Sequence, residues 1–289
     1  MSLTGQNGRT YLPNTSIEIV SPRLPCARPR HFLFDFDGTI SLIREGWQQL
    51  MIELMLEFLL ATPEAEDEQT LTRMISDLVL HSTGRPTIDQ MTFLADEVAL
   101  RGGLRHDPHM YKRLFLDRLL ARVNERLTGL RRGQFEPADL TVPGVLELLA
   151  ELKRRKIICH LASGTEKEAV VEEITALGLA GYFEDRIYGP QDGGPVFSKK
   201  LVIAGILETY GLAGCELVSC GDGKVEIEYT AQVGGIGIGV ASNEVERQGI
   251  NEIKRQQLIL AGANLIIPDF REGEALLSYL MGKDEAKRR

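Results

Sequence analysis

Cysteine is scarce in this chain of 289 residues: Cys26, Cys159, Cys215 and Cys220 show neither CxxC spacing nor the density of a disulfide scaffold. Two of them lie in apolar runs that read as buried strands, so a reducing cytoplasm is the simplest setting. A long apolar run is missing as well. No stretch approaches the roughly 18 to 20 consecutive apolar residues that span a bilayer, and the opening MSLTGQNGRTY lacks the apolar core of a signal peptide. The expectation is a soluble cytoplasmic protein with no membrane partner. Nor is there an excess of positive charge: 33 Lys and Arg stand against 41 Asp and Glu, a formal charge of -8. That balance argues against a sequence-independent grip on nucleic acid or an anionic membrane. An anionic substrate would have to be held locally, by a metal ion or a few placed cations. Internal repeats and low-complexity segments are absent, and nothing in the chain assigns an oligomeric state.

What is present is enough apolar residue, 43%, to bury one large core or two modest ones. Residues 1–30, rich in Pro, Arg, Ser and Asn, read as an extension packed loosely on the body, with one short extended run at Ile17 to Val20. His31 to Phe34 is an uninterrupted apolar run ended by Asp35, the pattern of a strand buried on both faces. From Arg44 to Leu140 the pattern turns to long amphipathic stretches (47–60, 71–80, 92–100 and 111–127) with no convincing strand, which predicts an all-helical insert. Beyond Pro143-Gly144 strands and helices alternate: helix 145–155, strand 157–162, helix 166–177, strand 186–189, helix 199–210, strand 216–220, helix 225–232, strand 235–240, strand 264–268 and a final helix. Such alternation implies a doubly wound, Rossmann-like parallel sheet, whose ligands bind at the carboxyl ends of the strands. The expected division is 31–43 with 141–289 as the α/β core domain and 44–140 as the helical cap domain.

Four polar clusters each follow a predicted strand or open a helix, which gathers them on one rim of the sheet. In Asp35-Phe36-Asp37-Gly38-Thr39 two carboxylates in extended register point the same way, and Gly38 lets the chain turn sharply. Ser163-Gly164-Thr165 offers hydroxyls and backbone N–H groups at the expected opening of a helix, a natural phosphate cradle. Ser198-Lys199-Lys200 begins another helix. Gly221-Asp222-Gly223-Lys224-Val225-Glu226 again runs from strand to turn to helix, with Glu226 one helical turn beyond Asp222. Each cluster alone has a plainer explanation: capping carboxylates in a turn, a helix cap, a solvated lysine, a Gly-Asp-Gly loop. It is the order and placement of the four together that carry the argument.

These clusters resemble the four motifs of the haloacid dehalogenase superfamily: an Asp-x-Asp-Gly-Thr strand end, a Ser or Thr, a Lys, and a Gly-Asp-x-x-x-acid loop. The resemblance spans about Phe32 to Phe270 and implies a phosphatase resembling the C1-capped, phosphoglycolate phosphatase-like members. On that likeness Asp35 is the nucleophile that becomes an aspartyl-phosphate, and Asp37 is the general acid and base. Mg2+ would be held by Asp35, the backbone carbonyl of Asp37, and Asp222, with Glu226 touching a metal-bound water. Lys199, with Lys200 as the fallback, would place a cation beside the nucleophile, while Ser163 and the Gly164 N–H bind the phosphoryl oxygens. Thr39 would steady Asp37. An acid at the position of Asp37 points to phosphate-ester chemistry, because a departing alkoxide needs a proton. The implied substrate is a small phosphorylated metabolite. A phosphomutase or phosphotransferase, or a catalytically silent binding module, stands as the alternative. Within the insert, Arg85 in the loop 82–87 or Arg44 would read the leaving group, an ordinary surface turn being equally compatible. A lone Trp47 is usually core, and the role of Lys224 beside Asp222 is open.

Overall fold

The computed structural model describes residues 3–4, 8–22, 28–82, 87–191, 193 and 196–282. Arg85 lies outside the described residues. The strands, in chain order, are β1 (Leu3–Thr4), β2 (Thr10–Tyr11), β3 (Glu18–Ile19), β4 (His31–Phe34), β5 (Ile158–Ala162), β6 (Ile187–Tyr188), β7 (Leu217–Gly221), β8 (Ile236–Val240) and β9 (Leu265–Ile267). They form one sheet of order β1-β2-β3-β9-β8-β7-β4-β5-β6. From β9 to β6 every pairing is parallel, with β4 at the centre: Phe34 lies opposite Leu161 of β5 and Cys220 of β7. All four residues of β4 are buried, as a strand covered on both faces must be.

The helices are α1 (Trp47–Leu60), α2 (Glu68–His81), α3 (Thr87–Leu100), α4 (Pro108–Arg131), α5 (Val145–Arg154), α6 (Lys167–Ala176), α7 (Ala180–Phe183), α8 (Lys199–Tyr210), α9 (Lys224–Gln232), α10 (Glu252–Leu260) and α11 (Gly273–Met281). Their burial follows the sequence pattern. In α5, Val145, Leu148, Leu149 and Leu152 occupy the i, i+3, i+4, i+7 positions and all are buried. Helix α10 begins where the Asn251 side chain accepts from the N–H groups of Ile253 and Lys254, satisfying donors that the first turn leaves open. Among the described residues no helix is long and apolar enough to cross a membrane.

The chain divides into two compact units, Met1–Ile43 with Gly129–Arg289, and Arg44–Thr128. The second holds helices and connecting turns but no strand among its described residues; α1 buries Met51, Leu54, Met55 and Leu59, and the buried side chain of Arg101 is bracketed by Glu66 and Glu97. Its later boundary falls at Thr128 rather than at the expected Leu140. The intervening segment is tied to the α/β unit: Leu42 N–H donates to Leu140 O, and Arg247 donates to the carbonyls of Ala138, Asp139 and Thr141.

The amino-terminal extension is not loosely packed. Strand β3 pairs antiparallel with β9, so Glu18 stands opposite Ile266. Ile17 is buried, and both Glu18 carboxylate oxygens accept from the Arg255 guanidinium of α10, at 2.6 and 2.5 Å. The extension therefore completes one edge of the sheet. The cysteines also depart from expectation in part: Cys159 and Cys220 are free and buried, whereas Cys215 is disulfide-bonded.

Candidate active site

The α/β unit assembles its polar groups where β4, β5 and β7 end. Asp35 continues the ladder one residue past β4, its N–H donating to Cys220 O at 2.9 Å. Its Oδ1 accepts from the N–H of Phe36, whose ring is buried, leaving Asp35 and Asp37 on the opposite side. The chain then folds back on itself: the N–H groups of Thr39, Ile40 and Ser41 all reach Phe36 O. This turn needs φ +73° at Gly38, and a β carbon there would collide with Asp222 Oδ2, so glycine is required twice over.

Asp37 meets the cluster that follows β5. Its Oδ2 accepts from Thr165 Oγ1 at 2.9 Å and lies 3.4 Å from Ser163 Oγ, which in turn accepts from the Thr165 N–H at 3.0 Å. Ser163-Gly164-Thr165 does not open the helix, as the sequence suggests. Helix α6 starts only at Lys167, whose N–H is taken by Pro190 O, and the motif is a turn that grips Asp37 instead. Gly164 is exposed at its tip, with open space where a side chain would be.

Lys199, the first residue of α8, places Nζ 2.7 Å from Asp35 Oδ1 and 2.8 Å from Glu226 Oε2. Lys200 points elsewhere, its amine 5.6 Å from the Tyr229 ring centroid. Burial pushes the carboxyls of Asp35 and Glu226 above their ordinary pKa values; Lys199 opposes the rise, while the charge of Asp222 adds to it at Asp35 and that of Asp35 adds to it at Glu226. Among the described residues Glu226 Oε1 has no hydrogen-bond partner, and it fills the space a side chain at Gly221 would need. Glu226 thus faces the lysine, while Lys224 is exposed to solvent.

Asp222 is held at both ends. Its N–H donates to Thr39 Oγ1 at 2.9 Å, so that hydroxyl serves the Asp222 backbone rather than Asp37. Its Oδ2 lies 2.7 Å from the ammonium of Lys254, which also lies 2.5 Å from Glu244 Oε1. Ser242 belongs to the same group, 3.4 Å from Lys254 Nζ and donating to Gly38 O at 3.0 Å. Sequence reasoning missed Lys254, Glu244 and Ser242. The signal available was topological: parallel neighbours β8 and β9 need a crossover between them, and Asn251 followed by an amphipathic stretch marks its helix.

A divalent cation suits this arrangement by its donors and its charge. Four carboxylates share two ammonium groups, Asp35 and Glu226 on Lys199 and Asp222 and Glu244 on Lys254, and a fifth, Asp37, accepts from the Thr165 hydroxyl. Their oxygens are the hard ligands that Mg2+ prefers. Among the described residues no three acidic, imidazole or thiol groups stand together as a finished cage. Asp35 and Asp222 have each turned one oxygen to a lysine, yet they are close enough for the charge of Asp222 to raise the Asp35 pKa.

Residues 29–234 match the family of haloacid dehalogenase-like hydrolases, and the chain belongs to that family. Over 133 residues, 46% of its length, it is 28% identical to the phosphoglycolate phosphatase of Synechococcus elongatus. That match covers 58% of the relative, so the chain spans less than two thirds of the curated relative's length. Among solved structures, a predicted phosphoglycolate phosphatase from Haemophilus somnus superposes with a TM-score of 0.59 at 17% identity, covering 87% of this chain and 99% of that one. A HAD family hydrolase from Deinococcus radiodurans, solved with bound phosphate and sodium, gives 0.57 at 17% identity and covers 88% and 97%. At such identities the likeness is one of fold: a parallel α/β sheet with an inserted helical unit.

Proposed function

We propose that the chain is a Mg2+-dependent phosphatase that hydrolyses a small phosphorylated metabolite through an aspartyl-phosphate on Asp35. The observation that carries this reading is the pairing of two differently furnished carboxylates. Asp35 faces the Lys199 ammonium, as a nucleophile approaching an anionic phosphoryl group must. Asp37 Oδ2 instead accepts from the Thr165 hydroxyl, with the Ser163 hydroxyl at 3.4 Å, neutral donors that suit a group that gives and takes a proton.

In the first half-reaction an Asp35 oxygen bonds to phosphorus while the bond from phosphorus to the ester oxygen breaks, and Asp37 protonates the departing alkoxide. In the second, Asp37 takes a proton from water as that water attacks the same phosphorus, releasing inorganic phosphate and restoring the Asp35 carboxylate. Lys199 balances charge on the nucleophile and the phosphoryl oxygens. Ser163 and the Gly164 N–H are the donors this reading assigns to those oxygens. Asp35, the Asp37 carbonyl and Asp222 would hold Mg2+, which supplies the charge that lets a carboxylate approach a phosphate dianion. Phosphorylated metabolites do not cross a bilayer unaided, so the cytoplasm is the compartment this reading assigns.

The test is a panel of phosphorylated metabolites, phosphoglycolate and sugar phosphates first, assayed at neutral pH with and without Mg2+. Free phosphate that requires the metal and vanishes in Asp35→Asn supports the proposal. An isomerised sugar phosphate with little free phosphate assigns the site to a phosphomutase instead. Metal-independent ligand binding with no turnover makes the chain a binding module.

A further inference from the structure

The side chain of Asp222 is gripped by a residue from outside the four motifs. Lys254 rises from the first turn of α10, and each of its three ammonium protons has an acceptor: Asp222 Oδ2, Glu244 Oε1 and Ser242 Oγ. The three charged side chains are largely hidden from solvent, with 14% exposure for Lys254, 18% for Asp222 and 13% for Glu244. An ion pair so enclosed is not a passing surface contact, because its partners have little water to return to. Asp222 Oδ1, by contrast, accepts no hydrogen bond among the described residues, and the network closes through Ser242 onto Gly38 O, beside the two reacting carboxylates.

We propose that Lys254 is a positioning residue for Asp222: by fixing Oδ2 it aims Oδ1 at the divalent cation. The inference rests on the reading of Asp222 as a metal ligand. A carboxylate that offers one oxygen to an ion can rotate about its own bonds unless its second oxygen is tied, and partners of this kind set the orientation of metal ligands. Glu244 and Ser242 tie the amine in turn, so the clamp is anchored to the loop after β8 and to the helix that follows it. Lys254 touches neither of the groups assigned to bond making or proton transfer. Its loss therefore acts on metal affinity, with turnover at saturating metal left close to the wild type.

Mn2+ binding to the purified, metal-free full chain, followed by electron paramagnetic resonance of the free ion, tests this without any turnover. The wild type, Asp222→Asn, Lys254→Met and Lys254→Arg are compared, each with its melting temperature. Lys254→Met is expected to weaken binding about 10- to 100-fold, the usual cost of removing a ligand's supporting partner. Lys254→Arg, which can still bridge two carboxylates, restores most of that loss. In turnover assays the Mg2+ concentration at half-maximal rate shifts in the same order while kcat does not. Unchanged binding in a folded Lys254→Met overturns the inference, and tighter binding does so too, because the amine would then be competing with the ion. Should Lys254→Met fail to fold, Lys254→Gln carries the same test with the same outcomes. A wild type that binds no Mn2+, or Asp222→Asn binding as well as the wild type, removes the metal-ligand reading and this inference with it. Loss in Asp222→Asn with no change in Lys254→Met removes only the inference.

Discussion

The ammonium of Lys199 stands 2.7 Å from Asp35 Oδ1, with Glu226 Oε2 at 2.8 Å on its other side. One cation thus balances two buried carboxylates that both resist ionisation. Lys199→Met leaves them without it. Phosphate release is expected to fall by at least about 100- to 1000-fold, the scale of losing one preorganised donor at a reacting oxyanion. Stability should drop by about 3 to 5 kcal/mol where both carboxylates must stay charged. Because burial raises their pKa values, the folded variant takes up protons more readily than the unfolded chain, and lowering the pH stabilises it. Melting curves at pH 6 and pH 8 check this: the deficit against the wild type should be smaller at pH 6, and an equal deficit at both would contradict the shared-cation account.

Thr165 Oγ1 donates to Asp37 Oδ2 at 2.9 Å, the shorter of the two hydroxyl contacts that oxygen receives. A hydrogen bond to a charged group is worth about 1.5 to 3 kcal/mol, roughly a 10- to 100-fold effect if it is needed in the proton-transfer step. Thr165→Ala should therefore slow turnover by about that factor, with breakdown of the aspartyl-phosphate affected and Mg2+ dependence unaltered. Thr165→Ser keeps the hydroxyl and should keep the rate. Rapid-quench measurement of the phosphoenzyme separates the two half-reactions.

How much of this was legible in the sequence depends on distance along the chain. The buried run before Asp35 and the helix pattern at Trp47–Leu60 or Lys199–Tyr210 are local signals, and the elements appear where those signals stop. The extension was misjudged because β3 is only two residues long and owes its existence to the open edge of β9, a partner some 250 residues away. The same distance hides the site's finer wiring. Nothing near Thr39 says that its hydroxyl will face the Asp222 amide, and nothing near Lys254 says that it will reach Asp222. Motif spacing placed the carboxylates; only the packing of β8, β9 and α10 brought the second lysine to them.

Gly221 and Gly164 lie at the ends of β7 and β5, the two strands that flank β4, but in opposite surroundings. A β carbon at Gly221 would collide with Glu226 Oε1, whereas one at Gly164 would meet no heavy atom within 4 Å. Gly221→Ala should cost about 1 to 3 kcal/mol, the usual penalty for overpacking, and should disturb the Glu226–Lys199 pair. Gly164→Ala should stay within about 0.5 kcal/mol of the wild type, as open surface positions do. Urea denaturation of the two variants side by side checks the contrast, and equal losses would show that the crowding at Gly221 relaxes freely.

Glu18 and Arg255 lock the amino-terminal extension to α10, the helix that also carries Lys254. Removing one member of a largely buried ion pair costs about 3 to 5 kcal/mol, less here because Arg255 retains Glu252 at 3.5 Å. Glu18→Ala should lower the melting temperature by several degrees. Arg255→Met added to it should cost little more, since the partner is already lost. Fully additive losses would mean that the two residues act separately.

At the other end of the sheet, His31 Nδ1 lies 2.9 Å from His160 Nε2, the rings stacked at 5.2 Å with Tyr210 against both. One nitrogen must carry a proton and the other must accept it, so the bond exists only while at least one ring is neutral. Burial pushes His31 down to about 4 and His160 down to about 3. An unfolded imidazole titrates near 6.5, so between that value and the folded ones the unfolded chain binds protons that the folded chain refuses. The pair's contribution is fully present above about pH 6.5 and is lost as the pH falls toward 4, with a slope of up to about 1.4 kcal/mol per pH unit for each ring. Urea midpoints between pH 8 and pH 4.5 should trace that decline, and the imidazole proton resonances of the folded protein should stay flat down to pH 5. In a His31→Phe/His160→Leu double variant the part of the slope due to these rings disappears. A wild-type slope surviving intact in that variant would place the acid sensitivity on carboxylates elsewhere in the chain.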